Sequence, residues 1–124
     1  MKNAKLREIS TGALVDLFVR LALEQDEAEL AFDPISKVNK LFRNLTAVEA
    51  ELKSRPGDQR HALIPLFAHP NPHVQLKAAK ATLAIAPAAA RHVLEVIAET
   101  CYGPQKLEAG MTLSNLDAGI FKPT

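Results

Sequence analysis

Pro70 and Pro72 flank Asn71 in the run His69-Pro70-Asn71-Pro72-His73-Val74-Gln75-Leu76-Lys77-Ala78-Ala79-Lys80-Ala81. Proline lacks a backbone N–H and crowds the preceding turn, so it stops one helix. At the first position of the next helix the missing N–H costs nothing. Asn71 is a preferred N-cap residue. The run therefore predicts a sharp turn and then a helix from Pro72 to about Ala86. Ala78, Ala79 and Ala81 make that helix narrow enough to lie close against its neighbours, and at least two of them are expected to be fully buried.

The same grammar organises the rest of the chain. Residues 1–9 read as a frayed lead-in. Ser10 or Thr11 caps a first helix to about Phe32, with Leu14, Leu17, Phe18, Leu21 and Ala28 at helical spacing. Asp33-Pro34 repeats the cap-plus-proline signal. It opens a second helix to about Lys53, with Ile35, Val38, Leu41, Phe42, Leu45, Val48 and Leu52 as its apolar stripe. Ser54-Arg55-Pro56-Gly57-Asp58 is a break. A third helix over about 57–68 carries Pro65 inside it and should kink there. Pro87 opens a further helix to about Thr100, with Val93, Leu94, Val96, Ile97 and Cys101 facing inward. Tyr102-Gly103-Pro104 ends it. A short helix from about Glu108 to Asp117 closes at Gly119, a left-handed C-cap with Ile120 folding back. No segment alternates with period two. The fold class predicted is all-α: stacked antiparallel helical hairpins, five to six helices, one domain over residues 1–124.

Composition excludes several classes. No apolar run is long enough to span a bilayer. The basic start Met1-Lys2 is followed by Glu8, Ser10, Thr11 and Asp16 rather than an unbroken apolar stretch, which argues against a secretory signal. Cys101 is the one cysteine and suits a reducing, cytoplasmic setting. The formal net charge of +1 supplies no overall pull toward nucleic acid or membrane. Charge is nevertheless segregated. Residues 8–33 hold seven acids against Arg20, and residues 53–92 hold six bases against Asp58. Each stretch can be read as a solvated face or as half of a complementary pair.

Candidate chemistry is thin. His69 and His73 are four apart, but Pro70-Asn71-Pro72 separates them, and no second cysteine completes a zinc-type set. Cys101 follows a helix C-terminus, where the dipole disfavours a thiolate, so a buried structural role is expected. Asp26, Glu27 and Glu29 cluster at a polar helix end with nothing apolar to raise a pKa. No serine sits in a G-x-S-x-G elbow, and no glycine run forms a phosphate loop. No catalytic, cofactor-binding or metal-binding residue is assigned. What remains is a basic stripe: His73, Lys77 and Lys80 on one helix face, with Arg91 and His92 opening the next helix. These five are the candidate partner-binding residues.

Together these residues resemble a small bacterial family of uncharacterised domains with a HEAT-like helical-repeat fold. The resemblance is carried by Glu51-Leu52-Lys53-Ser54-Arg55, by Ala62-Leu63-Ile64-Pro65-Leu66, and by His69-Pro70-Asn71-Pro72 with Val74 and Leu76-Lys77-Ala78-Ala79-Lys80-Ala81. It continues through Ala90-Arg91, Gly110-Met111-Thr112-Leu113 and Gly119-Ile120-Phe121-Lys122-Pro123. More typical HEAT repeats often carry arginine where this chain has Gln75. The resemblance implies a fold and is silent on activity.

Helical repeats mostly bind macromolecules, so the expected function is a non-enzymatic protein–protein interaction module. Its sharper form is an immunity-type protein that masks a bacterial toxin. The alternative is nucleic-acid binding through the basic stripe, although no aromatic side chains interleave with the bases for stacking. A protein partner and a weak homodimer are the expected partners; neither a membrane nor a cofactor is expected.

Overall fold

A computed structural model describes residues 3–124, with side chains from Lys5 onward. Every regular element among the described residues is helical: α1 (Asn3–Leu6), α2 (Thr11–Leu30), α3 (Ile35–Ser54), a 3-10 segment (Gln59–Ala68), α4 (Pro72–Thr82), α5 (Pro87–Thr100) and α6 (Pro104–Asp117). The chain divides into two compact units, Met1–Ala62 and Leu63–Thr124.

In the first unit α2 and α3 form an antiparallel pair. Ser10 caps α2, its hydroxyl accepting the Ala13 N–H at 3.2 Å. The buried positions of α2 include Leu14, Phe18, Leu21, Gln25 and Ala28, and those of α3 are Leu41, Leu45, Val48 and Leu52. Spacing by alternating threes and fours keeps one seam facing the partner helix. Ile35 and Phe42, expected on that seam, lie outside its register and are exposed. Asp33 does not cap α3. Pro34 holds the cap position without a side-chain bond, and the Asp33 carboxylate accepts from Lys37 Nζ at 2.8 Å instead.

Residues 3–9 are not frayed, and the expectation for Met1 and Lys2 lies outside the described residues. Leu6 is buried. Arg55 holds this segment from the far end of α3. Its guanidinium donates to the carbonyls of Leu6 and Ile9, to Thr11 Oγ1 at 3.3 Å and to Glu51 Oε2 at 2.9 Å. A guanidinium has five N–H donors in a fixed fork, which is why one side chain can satisfy so many acceptors.

The expected kinked helix is a 3-10 segment with Pro65 inside it. Pro65 removes a donor and crowds the carbonyl four residues back, and here the chain winds in i→i+3 steps instead.

In the second unit α4, α5 and α6 run up, down and up. Lys106 at the start of α6 reaches the Ala98 carbonyl near the end of α5, while Arg91 near the start of α5 reaches Asp117 at the end of α6. Asn71 caps α4 as expected, its Oδ1 accepting the His73 and Val74 N–H groups at 2.8 and 3.2 Å. Ala78, Ala79 and Ala81 are all buried. One core cluster joins Leu76, Ala79 and Leu83 to Ala90, Leu94 and Ile97 of α5 and Ala109 of α6, with Phe67, Cys101 and Phe121 packed onto it.

Five readings of this unit change. Helix α4 ends at Thr82, and residues 83–86 form a turn. Val96 faces solvent, because the inward positions of α5 are Ala90, Leu94 and Ile97. Cys101 is half-buried at the core edge rather than enclosed. Helix α6 starts at Pro104, one turn early, because Pro104 fills the first position of a new helix rather than only ending the old one. Gly119 is left-handed at φ 71°. The N–H groups of Ile120 and Phe121 both return to the Asn115 carbonyl, and Phe121 rather than Ile120 packs inward.

Asn71→Ala is expected to lower the unfolding free energy by about 1 kcal/mol. Ala79→Leu is expected to cost about 1–3 kcal/mol by overpacking the three-helix contact. Urea denaturation measures both; if Ala79→Leu unfolds like the parent, the contact is looser than described.

Candidate partner-binding surface

The narrow helix α4 lies close enough to α6 for their polar side chains to meet. His73, Lys77 and Lys80 do share one face, as their spacing predicts, but that face is turned toward α6. His73 is buried, its Nδ1 lying 3.1 Å from Gln105 Nε2. Lys77 and Lys80 both donate to Glu108 Oε2, at 2.9 and 3.1 Å. The Lys77 side chain retains 12 % exposure and Lys80 retains 32 %. Arg91 turns to the end of α6, with Nη1 2.9 Å from Asp117 Oδ1 and a longer approach to Glu95. Of the five stripe residues, His92 alone is exposed; the others are buried or half-buried.

Electrostatics follow the geometry. Burial pushes the Glu108 carboxyl up, but the charges and hydrogen bonds of Lys77 and Lys80 outweigh it and hold it below its usual value. The hydrogen bond from Arg91 holds the Asp117 carboxyl down. The arrangement is an ion-pair clamp between α4 and α6, with a second between α5 and α6.

Local sequence could not reveal it. Glu108 is 31 and 28 positions from its two lysines. Glu108 and Asp117 were visible only as the expected ends of a short helix, and Gln105 carried no signal at all.

The histidine pair also has a structural explanation. His69 Nδ1 accepts the Asn71 N–H at 3.0 Å, and its carbonyl accepts from Gln75 Nε2 at 2.6 Å. Gln75 thus fastens the turn. Among the described residues no group of three or more His, Cys, Asp or Glu is placed to hold a metal ion. No helix among them is long and apolar enough to cross a membrane.

A different surface stands out on α6. Leu107 and Met111 are 67 % and 57 % exposed, and Tyr102 just before the helix is 90 % exposed. Leu107 and Met111 line an open depression of about 380 Å³ with Gly103, Lys106, Gly110 and Ser114. Gly103, Lys106 and Leu107 fall before Glu108, the expected start of this helix, so the exposed face as a whole could not be read from the periodicity.

The clamp makes stability depend on pH. An unfolded Glu titrates near 4.3, and the folded Glu108 carboxyl lies lower. The unfolded state therefore binds the proton first as pH falls. The contribution of the clamp is complete above that range and is lost as pH drops through the folded pKa. Glu108→Gln should flatten the fall in melting temperature between about pH 5 and pH 3 relative to the parent. Parallel curves would show that the clamp does not form.

Residues 12–117 match a family described as a domain of unknown function, DUF2019. The chain is also similar to a solved structure, that of the protein RPA1889 from Rhodopseudomonas palustris CGA009. The two are 48 % identical, with a TM-score of 0.92, and the match covers 96 % of this chain and 98 % of that one. No curated protein matches significantly. The matched segment runs from the first turn of α2 to the last residue of α6 and takes in both units, so the chain belongs to the DUF2019 family.

Proposed function

We propose that this chain is a non-enzymatic protein-interaction module built on HEAT-like helical hairpins, and that the outward face of α6 meets the partner. The observation that carries this reading is the exposure of Leu107 and Met111 on one helix face around an open depression, with exposed Tyr102 next in the chain to its lining residue Gly103. Clustered exposed apolar side chains mark contact surfaces on soluble domains, and aromatic residues and Met are enriched at such contacts. A bacterial, cytoplasmic setting belongs to the same reading; its support is the bacterial source of the similar structure and the free thiol of Cys101.

The nucleic-acid alternative loses most of its carriers. Phosphate binding needs cations free to displace counterions. Lys77, Lys80 and Arg91 are engaged with Glu108 and Asp117, and His73 is buried.

A photo-crosslinking amino acid placed at Met111 in cells of the organism that encodes the chain should give a discrete protein adduct. Leu107→Asp should abolish it while leaving the melting temperature near the parent value, since Leu107 is exposed. An adduct that survives Leu107→Asp would remove α6 from consideration. Retardation of duplex DNA at moderate salt would instead favour the nucleic-acid reading.

A further inference from the structure

We infer that the turn between α2 and α3 is a second docking surface, at which exposed Leu30, Phe32 and Ile35 beside Glu24, Glu27 and Asp33 receive a basic amphipathic helix of a partner protein. The three apolar side chains are 68 %, 94 % and 72 % exposed, within six residues of one another in the chain.

Phe32 carries the argument. Helix α2 ends with the Phe32 N–H on the Glu29 carbonyl at 3.2 Å and the Asp33 N–H on the Ala28 carbonyl at 2.9 Å. Helix α6 ends in the same way, with the Gly119 N–H on Leu116 and the Ile120 N–H on Asn115. This paired closure requires a left-handed residue at its centre, usually glycine. Helix α6 supplies Gly119 at φ 71°, whereas α2 supplies Phe32 at φ 55°. A bulky residue is disfavoured in that region because its Cβ crowds the backbone. No burial offsets this, because the ring stands almost wholly in solvent. Folding alone favours glycine here, and a contact made by the ring accounts for phenylalanine.

Charge identifies the occupant. Glu24, Glu27 and Asp33 line a depression of about 310 Å³ beside the turn, together with Ala28, Ala31 and Lys37. Two of these acids already have a base beside them, Asp33 with Lys37 at 2.8 Å and Glu24 with Arg20 at 3.8 Å, which offsets part of the negative charge but not all of it. Residues 20–37 hold five acids against those two bases, and the C-terminal end of α2 adds its own negative dipole. An apolar knob set in negative potential complements a helix with leucine-type side chains on one face and lysine or arginine along its edge.

The test uses the full chain and two fluorescent synthetic helices of about four turns. One is built from Leu and Lys, the other from Leu and Glu in the same pattern. The Leu/Lys helix should bind, and more weakly as salt rises. Phe32→Gly should weaken it at least about tenfold while raising the melting temperature, which separates lost contact from lost fold. Glu24→Lys with Glu27→Lys should weaken it as well. Tyr102→Ser, which removes an equally exposed aromatic from the other unit, should leave it unchanged and so separates this surface from α6. The proposal is overturned if the Leu/Lys helix does not bind, if the Leu/Glu helix binds equally well, or if Phe32→Gly leaves affinity intact. It is also overturned, in favour of a second copy, if the chain forms a dimer that Phe32→Gly dissolves.

Discussion

The second unit depends on how closely three helices approach one another. Ala79 of α4, Ala90 of α5 and Ala109 of α6 belong to one fully buried cluster. Small side chains at a contact shorten the distance between helix axes. That short distance lets Lys77 and Lys80 reach Glu108 across the α4–α6 contact, and it encloses His73 against Gln105. The alanines and the basic stripe are thus cause and consequence. A helix slim enough to pack tightly brings its polar face up against its neighbour, and the cations on that face become part of the packing.

The residues that carry the sequence resemblance are explained in the same terms. Glu51 and Arg55 form a largely buried ion pair whose guanidinium also fastens the carbonyls of Leu6 and Ile9. In the turn before α4, His69 accepts from Asn71, Asn71 caps the helix, and Gln75 returns to His69. At the other end Gly119 closes α6 and Phe121 packs onto the core. Such a signature reports a fold. Met111, within the resembling segment Gly110-Met111-Thr112-Leu113, and Phe32, outside any such segment, are both exposed at positions that the packing does not use.

Legibility in the sequence followed locality. The Asn71 cap, the buried alanines and the limits of α5 could be read because each depends on neighbours within a turn or two. The partner of Lys77 could not, because Glu108 is distant in the chain and only the up-down-up arrangement brings it near. Ile35 and Phe42 misled because a 3.6-residue stripe is wider than the seam two long helices share. Pro104 misled because one residue type both ends and begins helices. Phe32 was invisible as a left-handed position, because the closure it occupies is recognised in a sequence by glycine.

The claim that the basic stripe belongs to the architecture rather than to a binding surface is tested most directly by charge reversal and rescue. Reversing exposed charges changes stability little, whereas reversing Lys77 and Lys80 to Glu in this clamp sets three carboxylates side by side. The account predicts that Lys77→Glu with Lys80→Glu lowers unfolding free energy by more than about 1 kcal/mol, and that adding Glu108→Lys recovers a substantial part of the loss. A double reversal that unfolds like the parent, with no gain from Glu108→Lys, would contradict it.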